Sequence, residues 1–126
     1  SGVSASVDSF KDWRSRTEAT PRSAGVLLAA LTGLGAARGE DWDALRRELI
    51  TPAAGRWRAA ITSAGRRGAA GEVALLAATG LQGRWADVPP AHVEAIVAAL
   101  AASGRRAEAR HFAAEAVTRA AGSLPV

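Results

Sequence analysis

A glutamate–histidine motif near the carboxyl end is the pattern in this 126-residue chain that comes nearest to a reactive site. Glu108 and His111 are three residues apart and Glu115 follows, so on a helix the three would share one face. Glu-x-x-His motifs bind iron in helical bundles, but such sites need two motifs and two further inward carboxylates. Because a single motif is present and Phe112 and Ala116 form the apolar face, we predict a solvated, salt-bridged surface.

The other polar clusters lack the spacing that known chemistries require. Glu40, Asp41 and Asp43 do not have the alternate ligands, central glycine and closing glutamate of a calcium loop, and their position predicts charge at a helix amino terminus. No serine or cysteine nucleophile motif accompanies His92. The glycines are spaced as helix stops rather than as a phosphate-binding loop. The chain has no cysteine, which excludes disulfides and thiolate metal sites. We therefore expect no catalytic residues, no metal and no cofactor.

Arginine supplies nearly all of the positive charge, because Lys11 is the only lysine in a chain of net charge +4. Abundant arginine together with abundant alanine is typical of a GC-rich genome. Arginines that follow a glycine can neutralise helix carboxyl ends, or they can form a basic strip that contacts phosphates. The candidate anion-binding residues are Arg66, Arg67, Arg105 and Arg106.

The elements that carry these residues are predicted to be helices throughout. The chain contains 32 alanines, and its few β-branched residues never alternate. We predict an all-α fold of six or seven short helices packed as antiparallel hairpins, either repeat-like or as an irregular bundle. The first, third, fifth and seventh helices are expected at 7–16, 41–50, 70–80 and 105–121. The second is expected to be capped by Ser23, the fourth to begin at Thr51-Pro52 and end near 64, and the sixth to begin at Pro89-Pro90. Residues 7–121 would form one domain between a disordered segment, 1–6, and a tail, 122–126.

Two segments of the chain match each other. GVLLAALTGL at 25–34 aligns with EVALLAATGL at 72–81, which predicts an internal duplication of 23–66 and 70–121. The duplication predicts that the matched residues Leu28 and Leu75 are similarly buried. The alternative is a chance match between alanine-rich segments.

The stretch VAALAASGRRAEARHFAAEAV resembles the helix–turn–helix of tetratricopeptide-like repeats. Its first helix ends at Ser103-Gly104, and Ala109, Phe112 and Ala116 take packing positions in the second. The resemblance covers residues 90–121 and implies a protein-binding scaffold without catalytic residues.

Two long loops, 35–40 and 81–89, occupy matching places in the proposed repeats and would emerge at one end of the stack. Trp85 lies beside Arg84 in the second loop, and tryptophan and arginine are the commonest hot-spot residues. A tryptophan that folds back to cap the core is the alternative. The predicted partner-binding patch consists of Arg38, Trp42, Arg84, Trp85 and His92.

The predicted function is that of a non-enzymatic protein-binding or scaffolding module within a larger bacterial protein. The alternative is arginine-mediated binding of nucleic acid or another anionic polymer. No apolar run reaches the ~20 residues that span a bilayer. We therefore expect a soluble chain, in the bacterial cytoplasm rather than the periplasm.

Overall fold

The computed structural model describes residues 5–52, 55–81, 83 and 85–122. These residues form seven α-helices and one 3-10 turn, and they contain no strand, as the predicted all-α class requires. The helices are α1 (Val7–Arg16), α2 (Pro21–Gly33), α3 (Glu40–Leu49), α4 (Arg56–Arg66), α5 (Ala70–Gly80), α6 (Pro90–Ala102) and α7 (Arg106–Gly122), and the 3-10 turn is Trp85–Asp87.

Local capping explains where the first two helices begin. The Ser6 hydroxyl accepts a hydrogen bond from the Ser9 N–H at 3.2 Å, and the Thr20 hydroxyl accepts one from the Ser23 N–H at 3.0 Å. Thr20 rather than Ser23 therefore caps α2, and Pro21 fits the first helical position because that position needs no N–H donor.

The predicted start of the fourth helix at Thr51-Pro52 is wrong. Both residues are exposed and precede the helix, whose first residue is Arg56. Gly55 has a φ of 104°, a backbone conformation that favours glycine, and it turns the chain into α4. The capping-type dipeptide therefore does not open a helix here.

Helix α6 is the centre of the molecule, because both hydrophobic clusters include its side chains. Val93 and Val97 belong to a larger cluster with residues of α1, α2, α3 and α7, whereas Ile96 and Ala99 belong to a smaller cluster with residues of α4 and α5. Three partly buried side chains pack against both clusters: Leu81, Leu100 and Phe112. The smaller α4–α5 lobe is therefore attached mainly through α6.

Two glycines set the close approach of neighbouring helices to α6. A Cβ atom on Gly33 would lie 2.9 Å from the Glu94 carbonyl oxygen and 2.9 Å from Val97 Cβ. A Cβ atom on Gly65 would lie 2.9 Å from Ala99 Cα. Any larger residue would push α2 or α4 away from the central helix.

The burial of the matched leucines contradicts the expectation drawn from the internal duplication. Val26 and Val73 are both buried, but Leu28 is fully buried whereas Leu75 is 73% exposed. α2 packs against α3, α6 and α7, so most of its circumference is covered, whereas α5 packs mainly on α4 and α6 among the described residues. Residues two apart on a helix point about 200° apart, so burial of Val73 turns Leu75 outwards.

The chain ends lie partly outside the described residues, which begin at 5 and stop at 122. The expected disordered segment, 1–6, and tail, 122–126, stay predictions, since only Ala5, Ser6 and Gly122 of them are described. The Ala5 N–H donates to the Ala36 carbonyl at 2.8 Å, and Ser6 caps α1. Gly122 is the last residue of α7.

Candidate interaction surface

The predicted partner-binding patch does not assemble as expected. Trp42 is only 4% exposed and packs edge-on against Phe10, with ring centroids 5.6 Å apart, so it cannot contribute to a surface. The reason is that α3 presents Trp42 and Leu45 to the core on one stripe. Arg38 is exposed, and Arg84 lies outside the described residues.

Trp85 is half-buried against α7 rather than displayed. Its ring lies 5.7 Å from Phe112, and the Arg119 guanidinium lies 5.4 Å from the ring centroid, within reach of a cation–π interaction. Arg22 of α2 donates hydrogen bonds to the carbonyl oxygens of Trp85 at 2.5 Å and Val88 at 2.7 Å. This placement matches the alternative of a tryptophan that caps the core.

His92 is half-buried and its ring packs against Trp57, with ring centroids 4.4 Å apart and the ring planes tilted by 37°. Its Nδ1 lies 3.4 Å from the Gly80 carbonyl oxygen. The Trp57 indole N–H donates to the Leu76 carbonyl at 2.7 Å, so the amino end of α4 is tied to α5. These contacts hold α4, α5 and α6 together at one end.

The Glu108–His111 face is a salt-bridged surface. Glu108 pairs with Arg105 at 3.3 Å and Glu115 pairs with Arg119 at 2.7 Å, while His111 is exposed. Among the described residues, no group of three or more His, Asp or Glu side chains is placed to hold a metal ion.

Sequence reasoning missed a buried carboxylate at Glu94, which is 8% exposed in the middle of α6. The Arg46 guanidinium grips it at two points, with Nε 2.7 Å from Oε2 and Nη2 2.5 Å from Oε1. The Thr32 hydroxyl donates to Oε2 at 2.5 Å. The single acid in the apolar sequence PAHVEAIVAALAA was the available signal, but its partners are too distant in sequence for spacing to reveal them.

The charge of Glu94 is stabilised by its neighbours. Burial raises the pKa of Glu94, but hydrogen bonds from Arg46 and Thr32 and the charges of Arg46 and Arg58 outweigh it, so the pKa lies below the ordinary 4.5. The hydrogen bond to Glu94 in turn raises the pKa of Arg46 above its ordinary value. The network joins α2, α3 and α6, with Arg58 of α4 close enough to act through its charge.

The arginine pairs differ in how far their charge is matched. Arg67 lies 2.6 Å from Glu72, and Arg105 pairs with Glu108, whereas Arg66 and Arg106 are exposed and make no ion pair within the described residues. Arg66 shares α4 with Arg56 and Arg58, and this helix contains no acidic residue. A shallow groove of about 440 Å³ on this helix is lined by Gly55, Arg58, Ala59, Thr62, Ser63, Arg66 and Arg67.

The outer face of α5 is apolar and uncovered. Leu75 is the large hydrophobic side chain that stands out as exposed among the described residues. Gly71, Ala74, Ala78 and Thr79 are exposed around it, and Glu72 is the single charged residue of the helix.

No family model, curated protein or solved structure matches this chain. None of the helices in the described ranges is long and apolar enough to cross a membrane.

Proposed function

We propose that this domain is a non-catalytic protein-binding module and that its partner docks on the exposed face of α5. The observation that carries the proposal is the 73% exposure of Leu75 on a helix whose outer face otherwise consists of Gly, Ala and Thr residues and the single charged residue Glu72. A lone exposed leucine is common, but here exposed alanine and glycine residues extend the apolar surface around it, and contiguous exposed apolar surface marks interaction sites.

The resemblance of α6 and α7 to a tetratricopeptide-like hairpin supports the same proposal, since such hairpins serve as scaffolds. The contacts of the buried Glu94 carboxylate also support a structural rather than a catalytic role for this residue. Glu94 is held by three donor atoms from Arg46 and Thr32, which leaves its oxygens poorly placed to accept a proton from a substrate.

Arginine-mediated binding of nucleic acid is the second candidate function. The observation that favours it is the acid-free surface of α4, where Arg58 and Arg66 line the groove. Phosphate contacts of this kind give affinities that fall steeply with salt.

Site-specific photo-crosslinking tests the proposal. A photoreactive residue replaces Leu75 in one variant and the exposed Ala114 of α7 in a control, and both are expressed in the native cell. We expect a discrete protein adduct from position 75 alone. The captured protein, once purified, should bind the wild-type domain at least tenfold more tightly than the Leu75→Ser variant.

Two results would overturn the proposal. One is equal adduct yields from both positions, and the other is equal affinity of the purified protein for wild type and Leu75→Ser. A third possibility is that a second copy of the chain covers α5. Light scattering tests it, because the wild type would then be a dimer and Leu75→Ser would be a monomer.

A further inference from the structure

The outer face of α4 concentrates positive charge that the fold neutralises only in part, through Glu72 beside Arg67 and Glu94 near Arg58. Arg56, Arg58, Arg66 and Arg67 lie between Glu48 and Glu72, an interval without any acidic residue, and these four charges equal the net charge of +4 of the whole chain. Arg67 alone among them makes an ion pair within the described residues. Such segregated charge attracts an anionic partner by long-range steering.

The basic surface adjoins the apolar face of α5. The ion pair between Arg67 and Glu72 joins the end of α4 to the first turn of α5. Glu72 and Leu75 are three residues apart on α5 and therefore neighbours on its surface. A ligand that covers Leu75 consequently lies next to Arg67, and the groove that Arg67 lines also contains Arg58 and Arg66.

We propose that the segment bound by the α4–α5 surface is an acidic amphipathic helix of another protein. The inference rests on the proposed function and specifies the partner's chemistry. Leucine-like side chains on one stripe of that helix would cover Leu75 and Ala78, and its carboxylates would pair with Arg58 and Arg66.

The spacing of Arg58 and Arg66 on α4 matches the spacing of carboxylates along a partner helix. Arg58, Thr62 and Arg66 follow one another at intervals of four residues, so the two arginines are about 12 Å apart along the axis of α4. Carboxylates seven or eight residues apart on a partner helix have a similar spacing. Arginine also presents a planar fork that matches a carboxylate at two points.

The apolar half of the surface favours a protein segment over a nucleic acid. A phosphate backbone has no apolar stripe with which to cover Leu75. Single strands also need exposed aromatic rings for stacking, whereas Trp57, the aromatic residue of α4, is half-buried against His92 and bonded to Leu76.

Synthetic probes test the inference without knowledge of the natural partner. The first probe is a labelled 20-residue peptide designed as a helix, with leucines on one stripe and glutamates beside it. The second has lysine in place of every glutamate, the third is a scramble of the first, and the fourth is a 20-base-pair DNA duplex. Fluorescence anisotropy measures binding at low and high salt.

The protein variants are Arg58→Gln/Arg66→Gln, Leu75→Ser and a matched control, Arg47→Gln/Arg110→Gln. The control removes the same charge from two exposed arginines on α3 and α7. Circular dichroism verifies that every variant remains helical. We expect the glutamate peptide to bind, the first two variants to weaken it at least tenfold, and the control to change its affinity less than threefold.

The outcomes separate the inference from the proposed function. If the DNA duplex binds more tightly than the glutamate peptide, or if the control weakens the peptide as much as the α4 variant does, the acidic-helix inference is wrong. If the crosslinked natural partner depends on Leu75 but not on Arg58 and Arg66, the inference fails while the protein-binding function stands. If that partner depends on neither, both fail.

Discussion

Glu94 is a buried charged residue whose ion pair contributes to the stability of the folded chain. Its carboxylate joins three helices through Arg46 and Thr32. Replacement of Glu94 by Gln keeps the shape but removes the charge that these donors satisfy. We expect the free energy of unfolding at pH 6 to fall by about 1–3 kcal/mol, the range for a buried polar group left with an unsuitable partner. Urea denaturation measures the difference.

The pH dependence of that difference has a definite sign. Because the folded-state pKa of Glu94 is lowered, its contribution is complete above the ordinary value of 4.5 and is lost as the pH falls through the folded-state pKa. The wild type should therefore lose more stability than Glu94→Gln between pH 6 and pH 3. A constant gap between the two proteins over this interval would show that the ion pair does not supply the difference.

Gly80 is a position at which an added Cβ atom should change the stability of the domain. A Cβ atom there would lie 2.3 Å from Trp57 Cζ2, so the ring or helix α5 must move. We expect Gly80→Ala to destabilise the domain by about 1–3 kcal/mol, as overpacking does. Gly71→Ala, on the same helix with open space around the position, serves as the control and should be neutral or slightly stabilising. Thermal unfolding compares the two, and equal melting temperatures would contradict the packing argument.

At the scale of the element, four of the seven described helices share one design at their carboxyl ends. α2, α4 and α6 each end two residues before a glycine with positive φ, and each closes with a hydrogen bond from the next N–H to the carbonyl five residues earlier. α1 ends in the same way, but Glu18, with a φ of 48°, takes the place of glycine. The same motif therefore carries backbone strain at one of its four positions.

Glu18→Gly should relieve that strain. A side chain in the left-handed region costs about 1–2 kcal/mol, and the added freedom of glycine in the unfolded chain returns roughly half of it. We expect a net gain of about 0.5–1 kcal/mol in the free energy of unfolding, measured by urea denaturation. Glu18→Ala is the control, because it removes the carboxylate but keeps the strained Cβ. If it stabilises as much as glycine does, the gain comes from charge and not from the backbone.

Elements were predictable where a local interaction defines them. The limits 7–16 and 70–80 coincide with α1 and α5, and α6 ends just before the predicted stop at Ser103-Gly104. Burial was less predictable, because it depends on which helices surround an element. Leu28 and Leu75 have similar sequence neighbours, yet α2 is surrounded and α5 lies at an edge. Glu94 and Arg46 were missed for the same reason, since folding alone brings them together.

At the scale of the whole molecule, the two hydrophobic clusters suggest unequal local stability. The α4–α5 lobe is attached mainly through α6, by a small cluster that contains Ile61 and Val73. The larger cluster includes α2 and α7 and does not depend on that lobe for most of its contacts. Regions with fewer buried apolar contacts open at lower free energy. The proposed docking surface therefore belongs to the less stable part of the fold.

Ile61→Ala tests this division. The side chain is fully buried, so its truncation should cost about 2–5 kcal/mol within the α4–α5 lobe. Hydrogen exchange followed by mass spectrometry should show faster exchange across α4 and α5, with smaller changes in α2 and α7. The control is Leu28→Ala in the larger cluster, which should accelerate exchange throughout the domain. If Ile61→Ala also accelerates α2 and α7 equally, the two clusters unfold together, and binding at α4–α5 would stabilise the whole chain rather than one lobe.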